Sequence, residues 1–67
     1  MLFKLTTEYI ELDNLLKVAG IVSSGSEAKQ LIRAGLVKVN DTVETRVRKK
    51  LRKGDRVFSE EKDLTIT

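Results

Sequence analysis

Residues 24–40, SGSEAKQLIRAGLVKVN, constrain the fold more than any other part of the chain. Ser24 and Glu27 have the spacing of a capping box, in which the serine oxygen accepts a backbone N–H and the glutamate reaches back to accept another. Behind them Ala28, Leu31, Ile32 and Gly35 fall on one helical face, and Ser26, Lys29, Gln30 and Arg33 on the other. Gly35 suits the left-handed conformation that ends a helix, and residues 36–39 continue as a strand. One face is built for a core. The other offers two cations, an amide and a hydroxyl to whatever lies outside.

Upstream, residues 11–19 read as a first helix, with Leu12, Leu15, Leu16 and Ala19 on one face. Glu11 and Asp13 in its first turn and Lys17 near its end agree with the helix dipole, and Ile10 is placed to staple against Leu15. Gly20 ends this helix, and Ile21 and Val22 form a buried bridge to the second. Helices joined so closely pack at an angle, as in a helix-turn-helix. Here, however, the second helix runs straight into strands with no third helix, which a DNA-reading helix-turn-helix bundle does not do.

The remaining segments are β-prone. Residues 1–6 alternate weakly and predict a short N-terminal strand, and Tyr9 is expected to cover the edge of the core. Asn40-Asp41 marks a tight turn of a kind that needs positive φ at both central residues. Aspartate accepts that conformation less readily than glycine, so the hairpin is expected to be strained or longer. Residues 43–45 return as its partner strand, residues 46–53 form a basic segment, and residues 56–58 make another strand. An acidic turn at 59–63 leads to a last strand at 64–67. The expected fold class is α+β: two short packed helices followed by a small antiparallel sheet, in a single domain spanning residues 1–67.

Composition excludes more than it identifies. A chain of 67 residues makes one domain at most. Cysteine and histidine are absent, which removes disulfides, the usual soft metal ligands, a thiolate nucleophile and a histidine base. The serine-rich Ser23-Ser24-Gly25-Ser26 lacks the spacing and the lysine of a phosphate-binding P-loop, so neither an enzyme nor a cofactor is expected. No apolar run reaches the roughly 20 residues of a membrane span and no signal-peptide pattern opens the chain, so the cytoplasm is the expected location. The net charge of +3 is unevenly spread: residues 29–56 carry ten cations against three carboxylates, while the segments on either side are acidic. A basic middle of this kind fits a polyanion, and a merely solvated surface is the plainer alternative.

Residues 24–40, with Leu12-Asp13-Asn14-Leu15-Leu16 and Gly20 before them and Lys53-Gly54-Asp55 after, resemble a known signature. It is that of the small RNA-binding domain named after the fourth small-subunit ribosomal protein, the S-four domain or αL motif. The resemblance spans residues 8–58 and is to the short stand-alone S-four-like proteins of bacteria. It implies a monomeric, ribosome-associated protein whose partner is structured RNA, ribosomal RNA foremost.

By this resemblance the RNA-contacting positions are Ser24, Gly25, Ser26, Lys29, Gln30, Arg33 and Lys38. Gly25 departs from the arginine that many members carry there, which removes one phosphate or base contact. The resemblance also implies that Lys29, Arg33 and Lys38 form one continuous basic surface, and the segment from Arg46 to Lys53 can fold along its rim and add Arg46, Arg48, Lys49, Lys50, Arg52 and Lys53. The free N–H groups at residues 24–26 offer a phosphate site, but Glu27 weakens it, and capping, which explains Ser24 and Glu27, is the favoured reading of that corner. Aromatic residues are few, so phosphates, 2′-hydroxyls and shape are the expected determinants rather than stacking. Two other classes stay open: an adaptor that kept the fold and lost RNA affinity, for which Gly25 is the motive, and a duplex-DNA binder.

Overall fold

Paired and spaced leucines build the first helix, and the strands on either side of it complete a mixed architecture. The computed structural model describes residues 1–67. The chain runs β1 (Leu2–Phe3), β2 (Ile10–Glu11), α1 (Leu12–Val18), α2 (Gly25–Arg33), β3 (Val37–Val39), β4 (Thr42–Val43), β5 (Lys50–Leu51), β6 (Arg56–Ser59) and β7 (Lys62–Ile66). Five strands form one sheet in the order β1-β7-β6-β3-β4, and β2 and β5 form a separate antiparallel ribbon. The α+β architecture is the expected one. The sheet is mixed rather than wholly antiparallel, because the N-terminal strand pairs parallel with β7 at one edge.

Leu12, Leu15 and Leu16 are fully buried on one face of α1, and Ala28 and Ile32 on one face of α2. Burying a leucine side chain contributes about 1.5–3 kcal/mol, so the apolar faces rather than intrinsic propensity hold these short helices. Both helices stop in the same way. Gly20 and Gly35 take φ values of 78° and 77°, and each donates its N–H to the carbonyl of the penultimate helical residue, Lys17 or Ile32. The next N–H, of Ile21 or Leu36, bonds to Leu16 or Leu31, completing a Schellman motif at each end.

The start of α1 differs from the expected one. No side chain caps it; the N–H groups of Leu12 and Asp13 donate to the carbonyls of Lys49 (2.9 Å) and Val47 (3.1 Å). Ile10 is not a helix staple but a strand residue opposite Leu51. The reason is tertiary: Leu51 is fully buried, and pairing β5 with β2 satisfies the backbone on both sides of it. The basic segment is therefore a docked strand and turn rather than a loop along a rim.

The core side of the main sheet is supplied by Val37, Val39, Val57, Leu64 and Ile66, with Ser59 buried among them. The Ser59 hydroxyl donates to the Leu36 carbonyl at 3.0 Å, which satisfies that buried polar group. Strand β3 begins one residue later than expected, and Leu36 is exposed. The β3–β4 hairpin has the shortest possible loop. Val39 pairs with Thr42, and Asn40 and Asp41 take φ values of 51° and 69°. The strain expected at Asp41 is present without the lengthening. Asn40 fastens this turn to the next one: its amide donates to Asp55 (3.1 Å) and accepts from the Arg56 N–H (2.9 Å). The β6–β7 turn repeats the geometry with Glu60 and Glu61, at φ 53° and 62°.

Candidate nucleic-acid interface

The capped start of α2 holds the first group of expected contact residues. Ser24 Oγ accepts the Glu27 N–H at 3.2 Å, while the Glu27 carboxylate accepts the Ser23 N–H (3.3 Å) and hydroxyl (3.5 Å). The box thus closes one residue before the cap and leaves the N–H groups of Gly25 and Ser26 without acceptors. A Cβ placed on Gly25 would meet no atom within 4 Å, so the position is sterically open. Ser26, Lys29, Gln30 and Arg33 are all exposed along the helix face opposite Ala28 and Ile32. No side chain pairs with Lys29, Gln30 or Arg33; this row presents its charges outward, uncompensated.

Lys38 is held by a different element. It lies between the buried Val37 and Val39 and projects from the outer face of the sheet. There the strand register places it beside Val43 on one side and Phe58 on the other, with Asp63 beyond Phe58.

The remaining expected cations sit on or beside the β2–β5 ribbon and are mostly engaged. Arg46 grips Glu44 with two hydrogen bonds of 2.9 and 3.1 Å. The Arg46 side chain, its backbone N–H and its charge hold the Glu44 carboxyl below its ordinary range, in that order of importance, and Lys49 adds a smaller pull. Glu44 in turn raises the Arg46 pKa. Arg48 reaches Glu11 at 3.4 Å, and Lys49 is half-buried. Lys50 places its ammonium 4.8 Å from the centre of the Tyr9 ring.

Three features of this region were not legible in the sequence. Tyr9 is a platform for cations rather than a lid on the core, since the Arg52 guanidinium also approaches its ring, at 5.9 Å. Arg52 additionally contacts Glu8 at 3.4 Å. The acidic N-terminal segment thus partly neutralises the basic ribbon, because a long-range fold contact brings together charges some forty residues apart. Phe58 lies on the outer sheet face and is 46% exposed. In Arg56-Val57-Phe58-Ser59 only the register decides which apolar residue faces in, and Val57 takes that place.

The largest concavity, about 820 Å³ beside α1, is lined by Glu8, Glu11 and Asp13 together with Lys17, and Gly25 lies at its edge. No group of three carboxylates is placed to hold a metal ion, and no helix is long and apolar enough to cross a membrane.

Comparison with known proteins places these features in a family. A family model described as the S4 domain matches residues 3–67. Among solved structures, the chain is similar to YbcJ from E. coli, whose solution structure reveals an αL motif involved in RNA binding. The two share 37% sequence identity and a TM-score of 0.77, over 98% of this chain and 85% of that one. No curated protein matches the chain. From the two glycine-stopped helices through the strands that follow, and over nearly its whole length, this chain belongs to the S4-domain family.

Proposed function

We propose that the chain is a non-catalytic RNA-binding protein. It takes structured RNA, ribosomal RNA foremost, on a basic face built by α2, β3 and the 46–50 segment. The observation that carries this reading is the row Ser26, Lys29, Gln30, Arg33 on α2. Its cations are exposed and unpaired on a helix whose ends are both capped, so they meet a phosphate backbone without first breaking an internal pair. The description of YbcJ as carrying an RNA-binding motif supports the same assignment. Ser24 and Gly25 extend the row, the Gly25 and Ser26 N–H groups add donors at a helix N-terminus, and Lys38 contributes separately from the outer face of the sheet. Arg46, Arg48, Lys49 and Lys50 contribute at the margin. Exposed pairs such as Arg48–Glu11 are worth about 0.2–1 kcal/mol and exchange readily for a phosphate.

The test is a salt-titrated binding comparison on a folded ribosomal RNA fragment, single-stranded RNA and duplex DNA of matched length, with Lys29→Glu/Arg33→Glu beside the parent. Two phosphate contacts become two repulsions, so folded-RNA affinity should fall at least about a hundredfold at low salt. The helix content of the variant should be unchanged, because both residues are solvent-facing. Equal weak binding to all three ligands, indifferent to the substitutions, would reduce the face to generic charge and favour an adaptor.

A further inference from the structure

The outer face of the main sheet carries a second constellation, separate in chemistry from the α2 row. Strand register lines up Val43, Lys38, Phe58 and Asp63 across β4, β3, β6 and β7, and Arg56 stands two residues before Phe58 on the same face. Side chains directly opposite in such a row have Cβ atoms about 5 Å apart, so Phe58 is flanked on both sides by charged groups. Around it lies a concavity of about 250 Å³ lined by Lys38, Asp41, Arg56, Phe58 and Asp63. That is below the roughly 300 Å³ at which pockets for drug-sized ligands begin, and it leaves room for a single planar ring system.

The charges show what kind of ring. Two cations and two carboxylates cancel, so net charge alone does not make the pocket a phosphate site. Arg56 and Asp63 already hold each other at 2.9 Å. Lys38 and Asp41 have no side-chain partner and are left to face a ligand. An exposed aromatic ring on a sheet is a stacking surface for an unpaired base. An ionised carboxylate only accepts, and accepts best from two adjacent donors. Among the four RNA bases, guanine alone offers two such donors side by side on its Watson–Crick edge, N1–H and N2–H. The lysine ammonium supplies a donor for the neighbouring O6 or for the attached phosphate.

We propose that the outer sheet face is a second RNA contact that captures one unpaired guanine. Phe58 stacks on the base, Asp41 accepts from its N1–H and N2–H, and Lys38 donates to O6 or the phosphate. This rests on the reading of the chain as an RNA binder, and it adds base selectivity that the α2 row lacks.

Two measurements test it. In the first, guanosine, adenosine, cytidine and uridine monophosphates are titrated separately into the protein while the Phe58 ring resonances are followed by NMR. Guanosine monophosphate should shift them and bind several-fold more tightly than the others. In the second, affinities are measured for three RNA hairpins, carrying one bulged guanine, one bulged uridine or none. Phe58→Leu keeps apolar bulk but removes stacking, and should weaken the bulged-guanine hairpin about tenfold while leaving the unbulged one unchanged. Phe58→Tyr should restore binding. Asp41→Gly should erase the preference for guanine over the other bases without unfolding the hairpin turn.

Nucleotides that leave the Phe58 resonances unmoved would overturn the proposal, as would a Phe58→Leu variant with parental affinity for the bulged hairpin. If in that case Lys29→Glu/Arg33→Glu still abolishes binding, the α2 interface stands alone. If the hairpins do not bind the parent but guanosine monophosphate still moves Phe58, the pocket stands and the α2 reading falls.

Discussion

Gly25 shows how much a single position on this fold leaves adjustable. It is the first residue of α2, its N–H has no internal acceptor, and a side chain there would project into open space. Gly25→Arg should therefore fold normally and add one phosphate contact. The expected result is tighter RNA binding at low salt and a log–log salt slope steeper by about one, read from affinities at several ionic strengths. Unchanged affinity and slope would place residue 25 outside the interface. The Glu44–Arg46 pair gives a second residue-scale prediction, this time for stability. Arg46 holds the folded-state carboxyl below its ordinary 4.5, so the unfolded chain takes up the proton first as pH falls. The pair's contribution is then complete above the unfolded value and lost as pH drops through the lowered folded one. Parent and Glu44→Gln should differ in urea midpoint at neutral pH and converge as the pH falls through the lowered folded-state value. A difference that persists below it would mean that something other than the ionised pair is responsible.

Among the elements, the two hairpin turns are strained in the same way and the helix ends are not. Gly20 and Gly35 put glycine where positive φ is required, whereas Asn40-Asp41 and Glu60-Glu61 put side chains there. Asp41→Gly relieves that cost and should stabilise the protein by about 1 kcal/mol, seen as a higher urea midpoint with an unchanged slope. A midpoint that stayed the same or fell would show that Asp41 makes compensating contacts. Strand β5 is the element that ties the rest together. It buries Leu51, pairs with β2, and delivers the 47–49 backbone to the open N-terminus of α1. A segment that looked like a solvated run of cations is thereby part of the core scaffold, and its arginines are held where the acidic residues near Tyr9 reach them.

Over the whole molecule, the net charge is small and the asymmetry is local. With four to six phosphates neutralised, RNA affinity should fall with a log–log salt slope of about −3 to −5. No histidine is present, so binding should be flat between about pH 6 and 8.5. A pronounced optimum in that interval, measured at constant ionic strength, would contradict an electrostatic interface of lysines and arginines.

What was legible in the sequence is what local chemistry settles. The spacing of Ala28, Leu31 and Ile32 behind Ser24 sets α2 and its outward row, and glycines at 20 and 35 end both helices. These depend on side-chain periodicity and on one residue's allowed φ, both readable from neighbours in the chain. The partners of Arg48, Arg52 and Lys50, the capping of α1 by Val47 and Lys49, and the outward turn of Phe58 were decided only by the tertiary structure. Each depends on which strand meets which, and in what register. A one-residue shift exchanges Val57 and Phe58 between core and solvent at little difference in hydrophobicity, so only the packing of the whole sheet against the helices selects between them.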